Sequence, residues 1–172
     1  LVINEYNLSC GAEFCDAKRG RILTILERLL RANVPIDAVG IQAHLAPRWP
    51  VVPASLEAFL RDVTDLGLAV FINELDVNDI DLPADIATRD RAIAQIYADY
   101  LDTALAFQAV KRLGFWGLTD KYHWIVEGYA PFRRTDGTPR PAMFDQELQP
   151  KPAYFAVRDA LLRAPARAPS RA

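Results

Sequence analysis

The sequence has little of several residue types, and each scarcity excludes a class of function. It contains two cysteines and two histidines. The histidines, His44 and His123, lie far apart along the chain, so we expect no metal site, which needs about four such ligands close together. No apolar run approaches the roughly 18 to 20 residues that span a bilayer. The formal net charge is only −2, with acids and bases interspersed, so electrostatics implies neither a nucleic-acid nor a membrane partner.

Two features of the chain bear on its compartment and leave it open. Cys10 and Cys15 form a local loop disulfide if the protein is exported, or they are two free thiols. No signal peptide is visible, but Leu1 is not a natural start and already reads as part of a strand. We therefore expect a cleaved or truncated N-terminus.

The spacing of the apolar residues, which make up 51% of the chain, predicts alternating strands and helices. Short, continuous apolar runs predict buried strands of a parallel sheet that is covered on both faces. These runs are 1–3, 38–41, 69–72 and 115–118. Apolar stripes at helical spacing predict an amphipathic helix after each strand. The stripes lie within 22–30, 56–63, 93–105 and 154–161.

This alternation is typical of the α/β class, and two arrangements fit it: an open doubly wound sheet, or part of a closed (β/α)8 barrel. The sequence has no glycine-rich phosphate loop, so nucleotide binding by an open sheet has no support. The barrel has a problem of number, because four strand–helix units make only half of it. We predict one domain over residues 1–162 and a disordered tail over 163–172, where RAPARAPSRA is rich in proline, alanine and arginine.

Polar and aromatic side chains follow every predicted strand at its carboxyl end. They are Asn4 and Tyr6, Gln42 and His44, Glu74 and Asp76, and Trp116 and Trp124. Side chains two apart on a strand share a face, so each of the first three pairs should point the same way. In a barrel the loops at this end converge on one pocket. A carboxylate beside a histidine and a second carboxylate can then be oriented for nucleophilic attack.

Each of these residues also has an ordinary structural interpretation. A glutamate at a strand end commonly forms a salt bridge, a lone histidine is commonly a structural hydrogen-bonder, and tryptophans are commonly core residues. We place Asp79 and Asp81 in a solvated loop and the charges of 88–92 on an exposed helix face. The functional interpretation is favoured because polar groups recur in the same relative place at successive strand ends.

The motifs at these strand ends, in this order, resemble those of glycoside hydrolase family 10, the endo-1,4-β-xylanases, over residues 1 to about 162. INEYN resembles the fifth-strand signature, VPIDAVGIQAHL the sixth, VFINELDV the seventh and FWGLTDKYHW the eighth, and PAMFD followed by LQPKPAY matches the closing segment. The chain departs from the pattern at Glu5, where the family usually has Asp, and at Asn73, where it has Thr. The resemblance implies a (β/α)8 TIM barrel of which this chain supplies about the last four βα units, strands 5 to 8.

The resemblance also implies a role for each candidate residue. Glu74 would be the catalytic nucleophile, with His44 and Asp76 as its hydrogen-bonding support. The substrate-binding residues would be Gln42 at a sugar hydroxyl near the cleavage point, Trp116 and Trp124 along the glycone side, and Asn4 and Tyr6 toward the aglycone side. The resemblance implies no metal and no cofactor.

Glu5 does not suit the second catalytic role, that of the acid/base. In this family the acid/base glutamate follows an Asn at the fourth strand, three strands before the nucleophile, whereas only the strand of Gln42 lies between Glu5 and Glu74. The acid/base residue and much of the glycone wall would belong to the first half of the barrel. We therefore expect the chain to be inactive alone, with that missing N-terminal half as its partner.

The function that the resemblance implies is retaining cleavage of β-1,4 links in xylan. Because a polymer does not enter cells, the expected location is secreted or periplasmic. Two alternatives belong to other classes. One is a non-catalytic carbohydrate-binding half-barrel that keeps Trp116, Trp124 and Gln42 without chemistry, and the other is a half-barrel that pairs with a second copy through its exposed sheet edges.

Overall fold

The structure, a computed structural model, describes residues 1–128 and 130–167. Strands and helices alternate along the chain, as the sequence predicts. The strands are β1 (Val2–Glu5), β2 (Ala38–Ile41), β3 (His44–Leu45), β4 (Ala69–Val77) and β5 (Val110–Phe115). The helices are α1 (Glu13–Arg31), α2 (Pro53–Asp65), α3 (Ile86–Leu105), α4 (Trp124–Glu127) and α5 (Pro152–Arg163). Single turns of 3-10 helix lie at Asp120–Tyr122 and Ala130–Phe132.

The strands form a parallel sheet in the order β1, β2, β4, β5. The short strand β3 also pairs with β4, beyond the end of β2. β2 and β3 are therefore two parts of one line of chain, interrupted at Gln42 and Ala43, and the φ of 65° at Ala43 is a left-handed conformation that breaks the ladder. Because all the pairs are parallel, the carboxyl ends of the strands lie along one edge of the sheet.

Three helices begin at residues that favour a helix N-terminus, a proline or a capping aspartate. Pro53 and Pro152 stand in the first turns of α2 and α5, where the missing N–H has no helical partner to lose. Asp85 caps α3 by accepting a hydrogen bond of 2.9 Å from the Thr88 amide. Within the described ranges, none of the helices is long and apolar enough to cross a bilayer.

The fourth strand does not lie where its apolar run predicts it. β5 ends on the first residue of the predicted strand 115–118, so that prediction was wrong in position. Lys111 and Arg112 are exposed in β5, which suits a strand that pairs only with β4 among the described residues. Because these charged residues interrupt the apolar run, the strand is not predicted from apolar spacing. Gly117, with a φ of 124°, then turns the chain.

The segment after α5 was predicted to be disordered from residue 163 onward. α5 ends at Arg163, and the residues that follow it, up to 167, lie beside the end of α3. Arg167 donates hydrogen bonds of 2.6 Å to the carbonyl oxygens of Leu105 and Phe107. Residues 168–172 of the predicted tail lie outside the described residues.

β4 contains one residue more than its neighbour between the same two pairing positions. Ile72 pairs with Ile41, and Asp76 pairs with His44. Four steps along β4 therefore face three steps along β2 and β3. This is a β-bulge, which re-aims the side chains next to it, and the extra residue lies directly before the end of β4 that carries the candidate site.

The bulge is also visible from β5, where a glycine makes room for it. Three steps along β4, from Ile72 to Leu75, face two steps along β5. A Cβ added at Gly114 of β5 would lie 2.8 Å from the carbonyl oxygen of Asn73, closer than a side chain tolerates. The absence of a side chain at Gly114 therefore lets the bulged backbone approach, and consecutive side chains at Asn73 and Glu74 share one face.

A cluster of buried charges joins the loop after β4 to α3 and to the segment between α4 and α5. Asp79 is 0% exposed and Arg89 is 2% exposed, and Arg89 Nε lies 3.3 Å from Asp79 Oδ2. Arg134 Nη1 lies 3.4 Å from the same oxygen and donates to the Asp79 carbonyl oxygen at 3.0 Å. The prediction that Asp79 lies in a solvated loop was wrong, because its charge is matched inside the protein.

The same cluster continues through two further ion pairs. Arg140 donates two hydrogen bonds of 2.8 Å to the carboxylate of Asp90, and Lys151 Nζ lies 2.9 and 3.2 Å from the carboxylate oxygens of Asp120. Arg89 and Asp90 both belong to 88–92, which was predicted to be an exposed helix face. That prediction was wrong for these two residues, since a buried charge is tolerated when it is paired.

We predict that Gly114→Ala lowers the free energy of unfolding by about 1 to 3 kcal/mol, because the new methyl group displaces the bulged backbone at Asn73. The matched control is Gly20→Ala in α1, where an added Cβ meets nothing within 4 Å and should stabilise by about 0.4 to 1 kcal/mol. Urea unfolding of both variants measures the two effects. Equal effects in the two variants would contradict the close approach.

We predict that Asp79→Asn lowers the free energy of unfolding by about 3 to 5 kcal/mol, because Arg89 is left buried without its ion pair to Asp79, and Arg134 keeps its ion pair to Asp136, which is 58% exposed. Asp102→Asn is the control, since Asp102 pairs with Arg163 at a site where the two side chains are 49% and 55% exposed. That change should cost less than about 1 kcal/mol. Thermal and urea unfolding decide, and a loss at Asp79 as small as the control would contradict the prediction.

Candidate active site

The polar residues predicted at the strand ends meet at the carboxyl edge of the sheet. Asn4 lies near the end of β1, His44 begins β3, and Glu74 and Asp76 lie in the second half of β4. Trp124 joins them from the start of α4. The bulge in β4 and the break before β3 set the directions of these side chains, so that residues far apart in the sequence share hydrogen bonds.

The Glu74 carboxylate is held from two sides and is 14% exposed. Asn4 Nδ2 donates a hydrogen bond of 2.7 Å to Glu74 Oε1. His44 Nε2 lies 3.3 Å from Glu74 Oε2. The carboxylate is therefore fixed in direction while part of it stays accessible, as a nucleophile requires.

The Asp76 carboxylate is the most enclosed charge of the site, at 1% exposed. His44 Nδ1 lies 2.8 Å from Asp76 Oδ1, and Trp124 Nε1 donates a hydrogen bond of 2.8 Å to Asp76 Oδ2. A hydrogen on His44 Nδ1 therefore points at Asp76, which fixes the plane of the ring. In that plane the other nitrogen faces Glu74.

His123 is a further neighbour of Asp76, and it is fully buried. Its Nδ1 accepts a hydrogen bond of 3.3 Å from the Ile125 amide, so the hydrogen of a neutral ring is on Nε2. That nitrogen lies 3.4 Å from Asp76 Oδ2. The contact is long, and the hydrogen on Nε2 faces the carboxylate. The sequence offered His123 only as a distant histidine, and its place beside Asp76 was not predicted.

The surroundings of His44 and Asp76 shift their pKa values in opposite directions. Burial raises the pKa of Asp76, but contacts from His123, His44 and Trp124 outweigh it and leave the pKa below the ordinary 3.8. Burial lowers the pKa of His44, but the hydrogen bond and charge of Asp76 and the charge of Glu74 outweigh it and leave the pKa above the ordinary 6.5. The pair therefore favours an anionic Asp76 beside a cationic His44.

Aromatic rings surround His44 on the open side of the site. The centroid of Trp124 lies 5.6 Å from that of His44, and the centroid of Trp116 lies 6.4 Å away with its plane almost perpendicular to the imidazole. Trp116 is 49% exposed. Phe132 packs 5.8 Å from Trp124. Both predicted tryptophans thus lie beside the predicted histidine, and half-open aromatic faces suit the apolar face of a sugar ring.

A cleft of about 400 Å³ lies next to these rings. Gln42 and Tyr6, both predicted to bind substrate, line it together with His44 and Trp124. Tyr6 is about half exposed, and the ammonium group of Lys18 lies 3.4 Å above its ring centroid. Three of the five predicted binding residues, Tyr6, Gln42 and Trp124, therefore line this cleft, whereas Asn4 and Trp116 are not among its lining residues.

Several cleft residues were missed by reasoning from the sequence. Arg48, Trp49 and Asp81 line the cleft, and Arg48 donates hydrogen bonds of 2.7 and 2.6 Å to the Asp81 carboxylate. The ring of Phe14 packs edge-on against Trp49 at 5.5 Å. The available signal was an arginine and a tryptophan in the loop that follows His44, at the same edge of the sheet.

Glu5 points away from the carboxylate of Glu74. Its side chain forms an ion pair with Lys18 of α1, whereas its neighbour Asn4 contacts Glu74. Consecutive residues of a strand face opposite sides, so Glu5 faces the helices and Asn4 faces the site. The local disulfide between Cys10 and Cys15 joins the loop that follows β1 to the first turn of α1.

Comparison with protein families gives one match that covers nearly the whole chain. The model of glycosyl hydrolase family 10 matches residues 1–160. Endo-1,4-beta-xylanase B of Thermotoga neapolitana is 32% identical over 159 residues, which are 92% of this chain and 42% of that protein. Endo-1,4-beta-xylanase 5 of Pyricularia oryzae is 33% identical over 171 residues, which are 99% of this chain and 39% of that protein. The chain thus spans less than half the length of these relatives.

Solved structures give the same result for the fold. Native xylanase 10B from Thermotoga maritima is similar with a TM-score of 0.80 and 29% identity, over 95% of this chain and 47% of that chain. Xylanase 10B from Thermotoga petrophila RKU-1, in complex with xylobiose, is similar with the same score and identity, over 95% and 46%. These matches confirm the predicted fold, a (β/α)8 TIM barrel of which this chain supplies about the last four βα units.

We predict that His44→Gln destabilises the protein most below pH 6.5. The raised pKa of His44 gives a stabilisation that is fully present below the ordinary 6.5 and is lost as pH rises through the folded-state value. The lowered pKa of Asp76 gives a second stabilisation, which is present above the ordinary aspartate pKa of 3.8 and is lost as pH falls through the folded-state pKa. The loss in His44→Gln should be about 1 to 3 kcal/mol at pH 5 and smaller at pH 9.

Urea unfolding at pH 5, 6, 7, 8 and 9 measures this difference. Gln95→Ala, on the exposed face of α3, is the control, and its effect should not change over that range. A loss in His44→Gln that grows toward pH 9 would contradict the assigned direction of the His44 pKa shift.

Proposed function

The chain belongs to glycosyl hydrolase family 10, and from this premise we propose that it carries the nucleophile of a retaining endo-1,4-β-xylanase. Its relatives bear the name endo-1,4-beta-xylanase, and a structural neighbour is described in complex with xylobiose. Family membership supports a glycosidase. The more specific proposal is that Glu74 attacks the sugar and that the substrate is β-1,4-linked xylan.

The observation that carries this proposal is the support of Glu74. Asn4 and His44 hold its two oxygens at 2.7 and 3.3 Å, and His44 is itself fixed by Asp76 at 2.8 Å. A nucleophile of this kind needs a fixed direction and a neighbouring positive group that stabilises its charge between turnovers. Glu74 has both, and the rings of Trp116 and Trp124 lie 6.4 and 5.6 Å from the ring of His44 that supports it.

The proposed reaction has two steps that exchange bonds at the anomeric carbon. In the first, an oxygen of Glu74 bonds to that carbon, the bond to the leaving oxygen breaks, and the leaving oxygen takes a proton from a second carboxylic acid. In the second, that carboxylate removes a proton from water, the water oxygen bonds to the carbon, and the bond to Glu74 breaks. Two inversions at the carbon retain its configuration.

The other residues of the site have proposed roles that follow from their contacts. His44 donates toward Glu74 and is held in place by Asp76. Gln42 binds a sugar hydroxyl near the cleavage point, because it lines the cleft beside His44. By resemblance to the family, the remaining proposed binding residues are Trp116 and Trp124 on the glycone side and Asn4 and Tyr6 on the aglycone side.

The second carboxylic acid is proposed to come from outside these 172 residues. Glu5 faces Lys18, and Asp76 is occupied by His44 and Trp124, so neither is free to serve as acid. The relatives that the chain matches are more than twice its length, which leaves room in them for a complementary half-barrel. We propose that such a half is the partner of this chain and that the chain alone does not hydrolyse xylan.

A location outside the cytoplasm is part of the proposal. Xylan is a polymer that does not cross a cell membrane, and the disulfide between Cys10 and Cys15 suits an oxidising compartment, either secreted or periplasmic.

We predict that Glu74 reacts with an activated substrate even where the acid is missing. 2,4-Dinitrophenyl β-xylobioside carries a leaving group that needs no proton, and azide replaces the water that needs a base. Wild-type chain should release dinitrophenolate with azide and form the β-configured xylobiosyl azide, because two inversions occur. Glu74→Gln should lower the release by at least about 100-fold, since the attacking oxygen is lost.

The control is Glu5→Gln, which makes the same chemical change on the opposite face of β1 and should keep the wild-type rate within about threefold. Product configuration is read by proton NMR. An equal loss of dinitrophenolate release in both variants would contradict the role of Glu74 as nucleophile. A wild-type chain that binds xylobiose without releasing dinitrophenolate, also within the longest protein that carries it, would favour the non-catalytic carbohydrate-binding alternative.

A further inference from the structure

Asn73, the residue directly before Glu74, takes part in a chain of two hydrogen bonds that ends on Glu74. Asn73 Nδ2 donates a hydrogen bond of 3.0 Å to Asn4 Oδ1. Asn4 Nδ2 donates one of 2.7 Å to Glu74 Oε1. The bulge in β4 makes this possible, because it places Asn73 and Glu74 on the same face, where both reach the same amide of β1.

The Glu74 carboxylate fixes the direction of these two hydrogen bonds. A carboxylate only accepts hydrogen bonds, so Asn4 must present its NH2 group to Glu74 and therefore its oxygen to the other side. Asn73 is the donor that meets that oxygen. If Asn73 offered an acceptor instead, the Asn4 amide would favour the reverse orientation, with its oxygen against the Glu74 carboxylate.

The Asn73 side chain is placed for this one donated bond. Its own Oδ1 is buried and has no hydrogen-bond partner among the described residues, a cost that a side chain in a merely structural position would not carry without reason. Gly40 of β2 leaves the space for the contact. A Cβ added there would lie 2.5 Å from Asn4 Oδ1 and 2.6 Å from Asn73 Nδ2.

We propose that Asn73 is a positioning residue that acts on Glu74 through Asn4: it holds the Asn4 amide in the orientation that donates to the attacking carboxylate. The importance of this for catalysis rests on the proposed role of Glu74 as nucleophile. The hydrogen-bond chain itself does not, and it can be measured separately.

A double-mutant cycle tests whether Asn73 acts through Asn4. The readout is the azide-dependent release of dinitrophenolate described above. Asn73→Leu, which has nearly the same shape but no donor, should lower the rate about 3- to 10-fold, and Asn4→Ala should lower it about 10- to 100-fold. The double variant should match Asn4→Ala within about twofold, because the effect of Asn73 passes through the amide that is already gone.

A rate for the double variant equal to the product of the two single losses would overturn the proposal, and so would an unchanged rate in Asn73→Leu. Gln95→Leu, an amide on the exposed face of α3, is the matched control and should keep the wild-type rate. Thermal unfolding of every variant identifies a loss that comes from unfolding alone.

The second measurement does not depend on turnover. In a proton–nitrogen NMR spectrum of the 172-residue chain, the Asn4 side-chain NH2 pair is the one that disappears in Asn4→Ala. This pair should shift in Glu74→Gln, which replaces its acceptor, and also in Asn73→Leu, while Gln95→Leu leaves it in place. An Asn4 pair that Asn73→Leu does not move would overturn the inference even if Glu74 is the nucleophile. A wild-type chain that releases no dinitrophenolate, also within the longest protein that carries it, would instead overturn the proposed function, and the spectrum would still decide whether Asn73 orients the Asn4 amide.

Discussion

The site depends on the burial of one charge, the carboxylate of Asp76. At 1% exposed, this anion has no water to solvate it, so it must be matched by donors from the protein. His44 and Trp124 supply them at 2.8 Å, and His123 adds a longer contact. Because the bond to Asp76 fixes the imidazole of His44, it also fixes the direction from which Glu74 is held. The positions of the His44 ring, the Trp124 indole and the Glu74 carboxylate thus follow from one electrostatic requirement.

The backbone supports this arrangement through irregularities and not through regular strands. An even strand would send Asn73 and Glu74 to opposite faces, and the amide chain from Asn73 through Asn4 to Glu74 could not form. The extra residue in β4 removes that alternation. It is tolerated because glycines stand on both neighbouring strands, Gly114 beside the Asn73 carbonyl and Gly40 beside its amide. The regular strand pairing that precedes the bulge holds the backbone in place, and the bulge directs Asn73 and Glu74 to the same face.

These irregularities mark where prediction from the sequence stops. The apolar runs placed β2 and the start of β4, and the ordered motifs placed Glu74, His44 and Asp76 at one edge, because periodicity and strand-end position are local signals. The bulge was not predictable, since it depends on pairing with two other strands. β5 was misplaced because Lys111 and Arg112 interrupt its apolar pattern. Asp79 was read as solvated because a buried ion pair and a surface charge look alike until the partner is located.

The buried charges have a consequence for the aromatic side of the cleft. The chain between α4 and α5 has little regular structure, and isolated bridges of Phe144 with Thr119 and Pro150 supply part of its backbone pairing. Ion pairs are further anchors: Arg134 pairs with Asp79 after β4, and Lys151 pairs with Asp120. Phe132 precedes the first anchor and packs on Trp124, whose indole binds Asp76. The charge cluster therefore helps to hold the aromatic wall beside Glu74 in place.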